Sequence, residues 1–342
     1  MPFLKLFPIA LLLAGAASAA PLRVVTTLPV YASIAQEVGG GRVEVQSISR
    51  GDEDAHFVKP KPSFALMLKR AGLFVTTGLD LEIWAPTLLD KSGNKSIREG
   101  APGYVSASAG VPLLDVPESV DRSAGDVHVY GNPHVFTSPL NAKRIAKNVA
   151  VGLERIDPEG AAEYRRNLAA FERRIDEALY GKELVELLGA ATLDPLARGG
   201  QLVSFLAGQE YQGEKLTGRL GGWLGKGMAF RGEKIVVYHK NWIYFTELFA
   251  LQVVGYVEPK PGIPPSARHV HDLVETVTTE NVAVLFAASH FGESQIDKIA
   301  ERLGTATVAV PLGPGGEGAA DYFELVSLWV DLLVGACSGE AG

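Results

Sequence analysis

Two runs of alternating short strands and amphipathic helices, set on either side of one long amphipathic stretch, constrain this chain more than any other feature. Alternation at this spacing is the pattern of a parallel α/β sheet, because parallel strands need a crossover helix to return the chain. In the first run, residues 22–28 (LRVVTTL) are a β-branched strand ending at Pro29, and a helical pattern over 30–38 stops at Gly39-Gly40-Gly41. A strand follows over 43–48, a helix over 62–71, a strand over 73–77 and a helix over 81–89. In the second run, strands are expected at 234–238, 253–256, 282–287 and 307–310, and helices at 242–249, 269–277, 294–303 and 322–333. Between the runs, Tyr164, Leu168, Phe171, Ile175 and Leu179 recur every three to four residues, opposite a face dense in Glu and Arg. Pro158 after Asp157 is a good helix start, so the spacing predicts one helix over 158–188. Periodicity alone fits a spine between two lobes or an ordinary surface helix equally well. Residues 190–232 are Gly-rich and weakly periodic, and are expected to be mostly helical or irregular.

The N-terminus bears on the compartment. Lys5 precedes an apolar run over 6–17, broken only by Pro8 and Gly15, and Ala17-Ser18-Ala19 reads as a small-x-small cleavage signal. The run is too short for a membrane-spanning helix, which needs roughly 20 residues. Residues 1–20 are therefore expected to be a cleaved signal peptide, giving a periplasmic chain of about 320 of the 342 residues. No Cys follows the small residues, so no lipid anchor is expected, and no later apolar stretch is long enough to span a bilayer. That length exceeds what one hydrophobic core comfortably serves, so two lobes are expected: 21–156, then the helix 157–188, then 189–342. A formal net charge of −7 argues against nucleic acid as a partner and leaves no polybasic membrane patch. The single Cys337 can form neither an internal disulfide nor a cysteine-rich zinc site, so a bound metal must rest on histidines and carboxylates.

The seven histidines fall at 56, 128, 134, 239, 269, 271 and 290. His56 lies in the loop after the second strand, and His134 in the Gly/Pro-punctuated GDVHVYGNPHVFTSP. His239 sits one residue past the strand KIVVY, and His290 just past VAVLFAA. In open parallel sheets, ligands gather outside the carboxyl ends of the strands. A lone loop histidine is ordinarily a surface residue, so the metal reading rests on several of them coinciding at strand ends from both halves of the chain. His269 and His271, in the polar first turn of a helix, read as solvent-facing, and His128 beside Asp126 as a supporting or plain loop residue. No local H-E-x-x-H or H-x-x-x-H pair builds a site. Ligands this far apart would tie two lobes together on binding. Imidazole nitrogens suit zinc, which prefers four ligands in a closed shell.

These residues resemble the metal-ion substrate-binding proteins of ABC transporters, the zinc/manganese periplasmic cluster, over nearly the whole mature chain. VVTTLPVYASIAQEVGG is similar to the family's opening strand and helix, and KRAGLFVTTGLDLEIWAPTLL to its Gly-Leu…Glu-x-Trp segment. DAHFVKPKPS resembles the first metal loop, GNPHVFTSP the second and VVYHKNWIYF the third; the resemblance makes His56, His134 and His239 ligands. EPKPGIPPSARHVHDLV is similar to the segment before the family's next helix. The resemblance implies two lobes, each with a mostly parallel sheet flanked by helices, joined by one long spine helix that allows only modest rocking. It implies no catalysis but capture of Zn2+, with Mn2+ the alternative, and delivery by a monomer to an ABC permease in the inner membrane. A histidine in the third position tilts the choice to zinc.

Two departures matter. The family's fourth ligand is often a carboxylate in a DPLG-like turn, but here the turn reads Ala309-Val310-Pro311-Leu312-Gly313, and Val310 cannot bind metal. His290 is the expected replacement, with Asp54, Glu53 or a water as competitors. The long His-rich loop of many zinc members is also missing, leaving only His128 nearby. Three histidines and a water would equally suit a secreted zinc hydrolase, which would need a general base such as Asp54, Glu53 or Glu258. Neutral imidazoles are required for ligation, so metal binding is expected to weaken as pH falls through about 6.5.

Overall fold

The computed structural model describes residues 20–117, 128–258, 263–316 and 318–338, so the expected signal peptide lies almost wholly outside the described residues. Two α/β lobes are observed, each built on a four-stranded, all-parallel sheet flanked by helices. In the N-terminal lobe β1 (Leu22–Thr26), β2 (Val43–Ser47), β3 (Leu73–Thr76) and β4 (Tyr104–Ser106) lie in the order β2-β1-β3-β4. Helices α1 (Pro29–Gly39), α2 (Pro62–Lys69), α3 (Ala85–Ser92) and α4 (Pro139–Ile156) cover it. The period-2 alternation sorts the strand residues between two cores: Val24, Leu73 and Val75 face α1 and α4, while Val25 and Phe74 face α2 and α3.

The C-terminal sheet runs β10-β9-β7-β8, from β7 (Lys234–Val237), β8 (Gln252–Tyr256), β9 (Val284–Ala288) and β10 (Ala306–Val310). Around it pack α10 (Ile243–Phe249), α11 (Ala267–Glu280), α12 (Glu293–Leu303) and α13 (Tyr322–Ser338). Ile235, Val237 and Phe286 join the same buried cluster as Val24 and Val75, while Val236 and Leu285 pack outward with α11 and α12. One apolar core thus runs through both lobes. Opening the molecule wide would expose that core to water, which holds the lobes to small displacements.

The long amphipathic stretch is not one helix. A single turn, Pro158–Gly160, leads into the 20-residue α5 (Ala161–Tyr180), and α6 (Lys182–Leu188) begins only after a break at Gly181. Gly181 has φ 84°, and a Cβ there would meet the Gly221 backbone at 2.9 Å, so the helix stops where another backbone crosses it. Gly221 donates its N–H to Tyr180 O at 2.9 Å across this crossing. The apolar stripe read from sequence is real: Tyr164, Phe171, Ile175 and Leu179 are all buried. Through it α5 packs on α1 and α4 in one lobe and on α9 (Gly222–Gly227) in the other. Gly181→Ala is expected to lower stability by about 2 kcal/mol or more, from left-handed strain plus the backbone clash. Urea melts superimposing on those of the parent chain would remove the argument.

Beyond α6 the Gly-rich stretch folds as α7 (Ala190–Arg198), α8 (Leu202–Gly208), a small hairpin of β5 (Glu210–Tyr211) and β6 (Glu214–Lys215), and α9. Lys143 of α4 bridges Asp176 of α5 and Asp194 of α7, which ties this segment to the spine. Two elements escaped the sequence reading. The 18-residue α4 buries Leu140, Ile145, Val149 and Leu153 at helical spacing, with Asn141, Ala142, Ala146, Ala150 and Gly152 between them. The strand β4 is only three residues long. Helix α3 begins later than expected because Gly78, Leu79 and Asp80 all take positive φ and turn the chain first.

Candidate metal centre

Each histidine of the cluster is set by a local device. Asp54 caps the short turn Ala55–Phe57 by accepting the His56 N–H at 2.9 Å. Trp84 Nε1 donates to Ala55 O at 2.8 Å and pins that turn to the lobe. His134 enters the turn that leads into α4, and Asn132 Oδ1 accepts from both its backbone N–H and its Nδ1, each at 3.0 Å. With Nδ1 donating, the lone pair lies on Nε2, the atom that faces the other rings. His239 follows β7 directly, and its Nδ1 lies 3.0 Å from Glu258 Oε2, though not aligned as a hydrogen bond. Glu258 is itself placed by its N–H donating to Tyr238 O at 2.7 Å.

The three imidazoles converge. Ligand nitrogens of His56, His134 and His239 all lie within 4.8 Å of one another, and His56 Nε2 is 3.4 Å from His134 Nε2. His134 and His239 are buried. Donors at 2.0–2.1 Å in a tetrahedral zinc shell stand about 3.3–3.4 Å apart, so the His56–His134 spacing is that of two ligands on one ion. His239 Nε2, at 3 % exposure of its residue, has no hydrogen-bond partner, an orphaned acceptor or donor that a cation would satisfy. Among the described residues no other group of three or more His, Cys, Asp or Glu converges in this way.

The electrostatics favour neutral rings. Burial, and then the neighbouring imidazoles of His56, His128, His239 and His290, hold His134 well below the ordinary imidazole range. His128 is pushed down to about 3, again chiefly by burial. Protonation competes for His134 only in acid well below the ordinary imidazole value of about 6.5.

The remaining candidates sort by position. The His290 side chain is covered, but it stands outside the convergent group, with Nε2 3.8 Å from Asp54 Oδ2 and without a hydrogen-bond partner. His128 stacks on His56 with ring centroids 5.1 Å apart, closer than a plain loop residue, and its Nε2 is buried and unpartnered. His269 is engaged with Tyr256 O at 2.8 Å, and His271 is exposed beside Glu275. Glu53 accepts from the Arg50 N–H, and Val310 lies in the apolar core. Glu258 faces His239 and Asp54 caps its turn, so both carboxylates serve to place histidines. The sequence reading missed Asn132 and Asn241. Asn132 Nδ2 donates to Lys240 O at 2.8 Å while its Oδ1 holds His134, lacing the two lobes through one side chain. Asn-x-His in a loop was the available signal.

Comparison with known proteins then decides the family. The profile of ZnuA, zinc-uptake complex component A periplasmic, matches residues 24–180 and 218–336. The chain belongs to the ZnuA family. It is a metal-binding substrate-binding protein of the ABC-transporter class, whose members bind a metal ligand and work with membrane permeases. The iron-binding protein YfeA of Yersinia pestis is 24 % identical over 320 residues, covering 92 % of this chain and 86 % of the relative. The manganese ABC transporter substrate-binding lipoprotein PsaA of Streptococcus pneumoniae is 29 % identical over 160 residues, 46 % of this chain and 48 % of its own. A ZnuA deletion mutant solved with zinc bound shares the fold at a TM-score of 0.66 and 21 % identity, covering 92 % of this chain and 98 % of that one. The ZnuA match skips residues 181–217, which begin at the Gly181 break and include α6, α7, α8 and the hairpin. No helix among the described residues is long and apolar enough to cross a membrane.

Proposed function

We propose that this chain captures zinc in the periplasm, between its lobes, and passes it to an ABC permease for import, working as a monomer exported by the signal at 1–20. The carrying observation is the meeting of His56, His134 and His239 within 4.8 Å, two from one lobe and one from the other. A cation held there bridges the lobes, so loading favours the closed form by the difference in its affinity for the two states. The permease can read that difference. Nitrogen-rich sites suit zinc and oxygen-rich ones manganese, and among the described residues no carboxylate joins the convergent three. Relatives named for iron, manganese and zinc keep manganese as the second reading within the same transport class.

Competition titrations of metal-free protein are expected to give one zinc per chain, with manganese held about a hundredfold more weakly. Manganese binding as tight as zinc would overturn the choice of metal. Absence of binding by either would overturn the transport reading itself.

A further inference from the structure

The fourth place at the metal is the open question, and Asn241 stands beside the cluster. Asn241 follows Lys240 in the short turn after β7, and its residue is 1 % exposed. Its Nδ2 lies 3.2 Å from His134 Nε2, close to the spacing of two donors on one zinc ion and to the 3.4 Å between His56 and His134. Its Oδ1 is buried with no hydrogen-bond partner. As it stands, the carboxamide donates into the lone pair that a cation must take. Turning it over about its last torsion exchanges the two terminal atoms without moving the chain. The orphaned oxygen would then stand where the nitrogen is, beside His134 Nε2 and facing the ion.

We propose that Asn241 is the fourth ligand, through its amide oxygen, and that its carboxamide alternates between two roles. In the metal-free chain the NH2 caps His134; in the loaded chain Oδ1 completes an N3O shell. This rests on the zinc-capture reading above and extends it. The arrangement accounts for a lobe in which Val310 leaves the Leu312–Gly313 turn without a carboxylate. That turn, His134 and Asn241 line one cavity of about 20 Å³, together with Glu53 and Asp54. It also makes the shell uncharged, weaker for a dication than one closed by a carboxylate.

The test is chelator-competition titration of zinc into the full chain and its variants, with visible absorption of the cobalt(II) form as a second readout. Asn241→Ala is expected to weaken zinc about tenfold to a hundredfold and to change the cobalt bands, since water replaces the amide. Asn241→Asp, nearly the same size and therefore safe for folding, is expected to tighten zinc at least about tenfold by adding charge to the shell. It should also raise manganese affinity relative to zinc. Zinc affinity unchanged or tightened in Asn241→Ala, or unchanged in Asn241→Asp, would overturn the assignment. So would a loss confined to His290→Ala with Asn241→Ala at parental affinity, which would give the place to His290. Failure of the parental chain to bind zinc would overturn the capture reading and this with it; parental binding with indifferent variants overturns this alone.

Discussion

His134→Ala is expected to bind zinc about a thousandfold more weakly than the parental chain and still to fold. His134 sits at the middle of the cluster, 3.4 Å from His56 and engaged by side chains of Asn132 and Asn241. Removing it deletes one of three convergent nitrogens and frees the two asparagines from the ring that organises them. A shell short of one strong ligand loses several kcal/mol, and a factor of a thousand is about 4 kcal/mol. The cost to the metal-free fold is smaller, because the truncation also removes an imidazole that must be kept neutral in a buried place. Calorimetric or chelator-competition titration at neutral pH measures the loss, and circular dichroism with urea melts checks the fold. An unaltered zinc isotherm would remove His134 from the site.

The second large effect is on acid stability of the metal-free chain. Burial lowers the folded-state pKa of His134 far below its value in the unfolded chain. Between those two values the unfolded chain takes a proton that the folded one refuses, so stability is full above about pH 6.5 and drains away as pH falls. One imidazole kept neutral in this way costs about 2 kcal/mol by pH 5. His128, lowered to about 3 by burial, pulls in the same direction. Urea melts at pH 7 and pH 5 are expected to show the loss, and His134→Ala is expected to recover part of it. Equal stability at both pH values would show that the buried rings take up protons freely. Zinc, by occupying the rings, stabilises the folded form by mass action, about 4 kcal/mol at a thousand times its Kd.

Much of the lobe architecture was legible because strands buried on both faces need runs such as LRVVT and VLFAA, with crossover helices between them. Those strands end where the sequence reading put them to within a residue or two. The histidines at their carboxyl ends could therefore be named as a group before any geometry was known. The helix α4 was not read, although Leu140, Ile145, Val149 and Leu153 recur on its buried face at helical spacing and Pro139 stands at its start. The break at Gly181 was not read either, although Lys182 and Glu186 stand where the stripe of α5 would continue and Gly181 itself is a helix-stop residue. In the structure the Gly221 backbone crosses at that point.

The site divides along the same line. Residue type and strand position are written in the chain and put several histidines near a crevice; the family resemblance singled out His56, His134 and His239 among them. The tertiary fold alone decided which further side chains stand at ligand distance. His290 ends the expected strand yet turns toward Asp54, while Asn241, inconspicuous in sequence, reaches within 3.2 Å of His134. The physical reason is one of length scale. Strand ends are placed by hydrophobic burial summed over many residues, which a pattern records, whereas a coordination shell is settled by ångström-scale directions that depend on packing from both lobes at once.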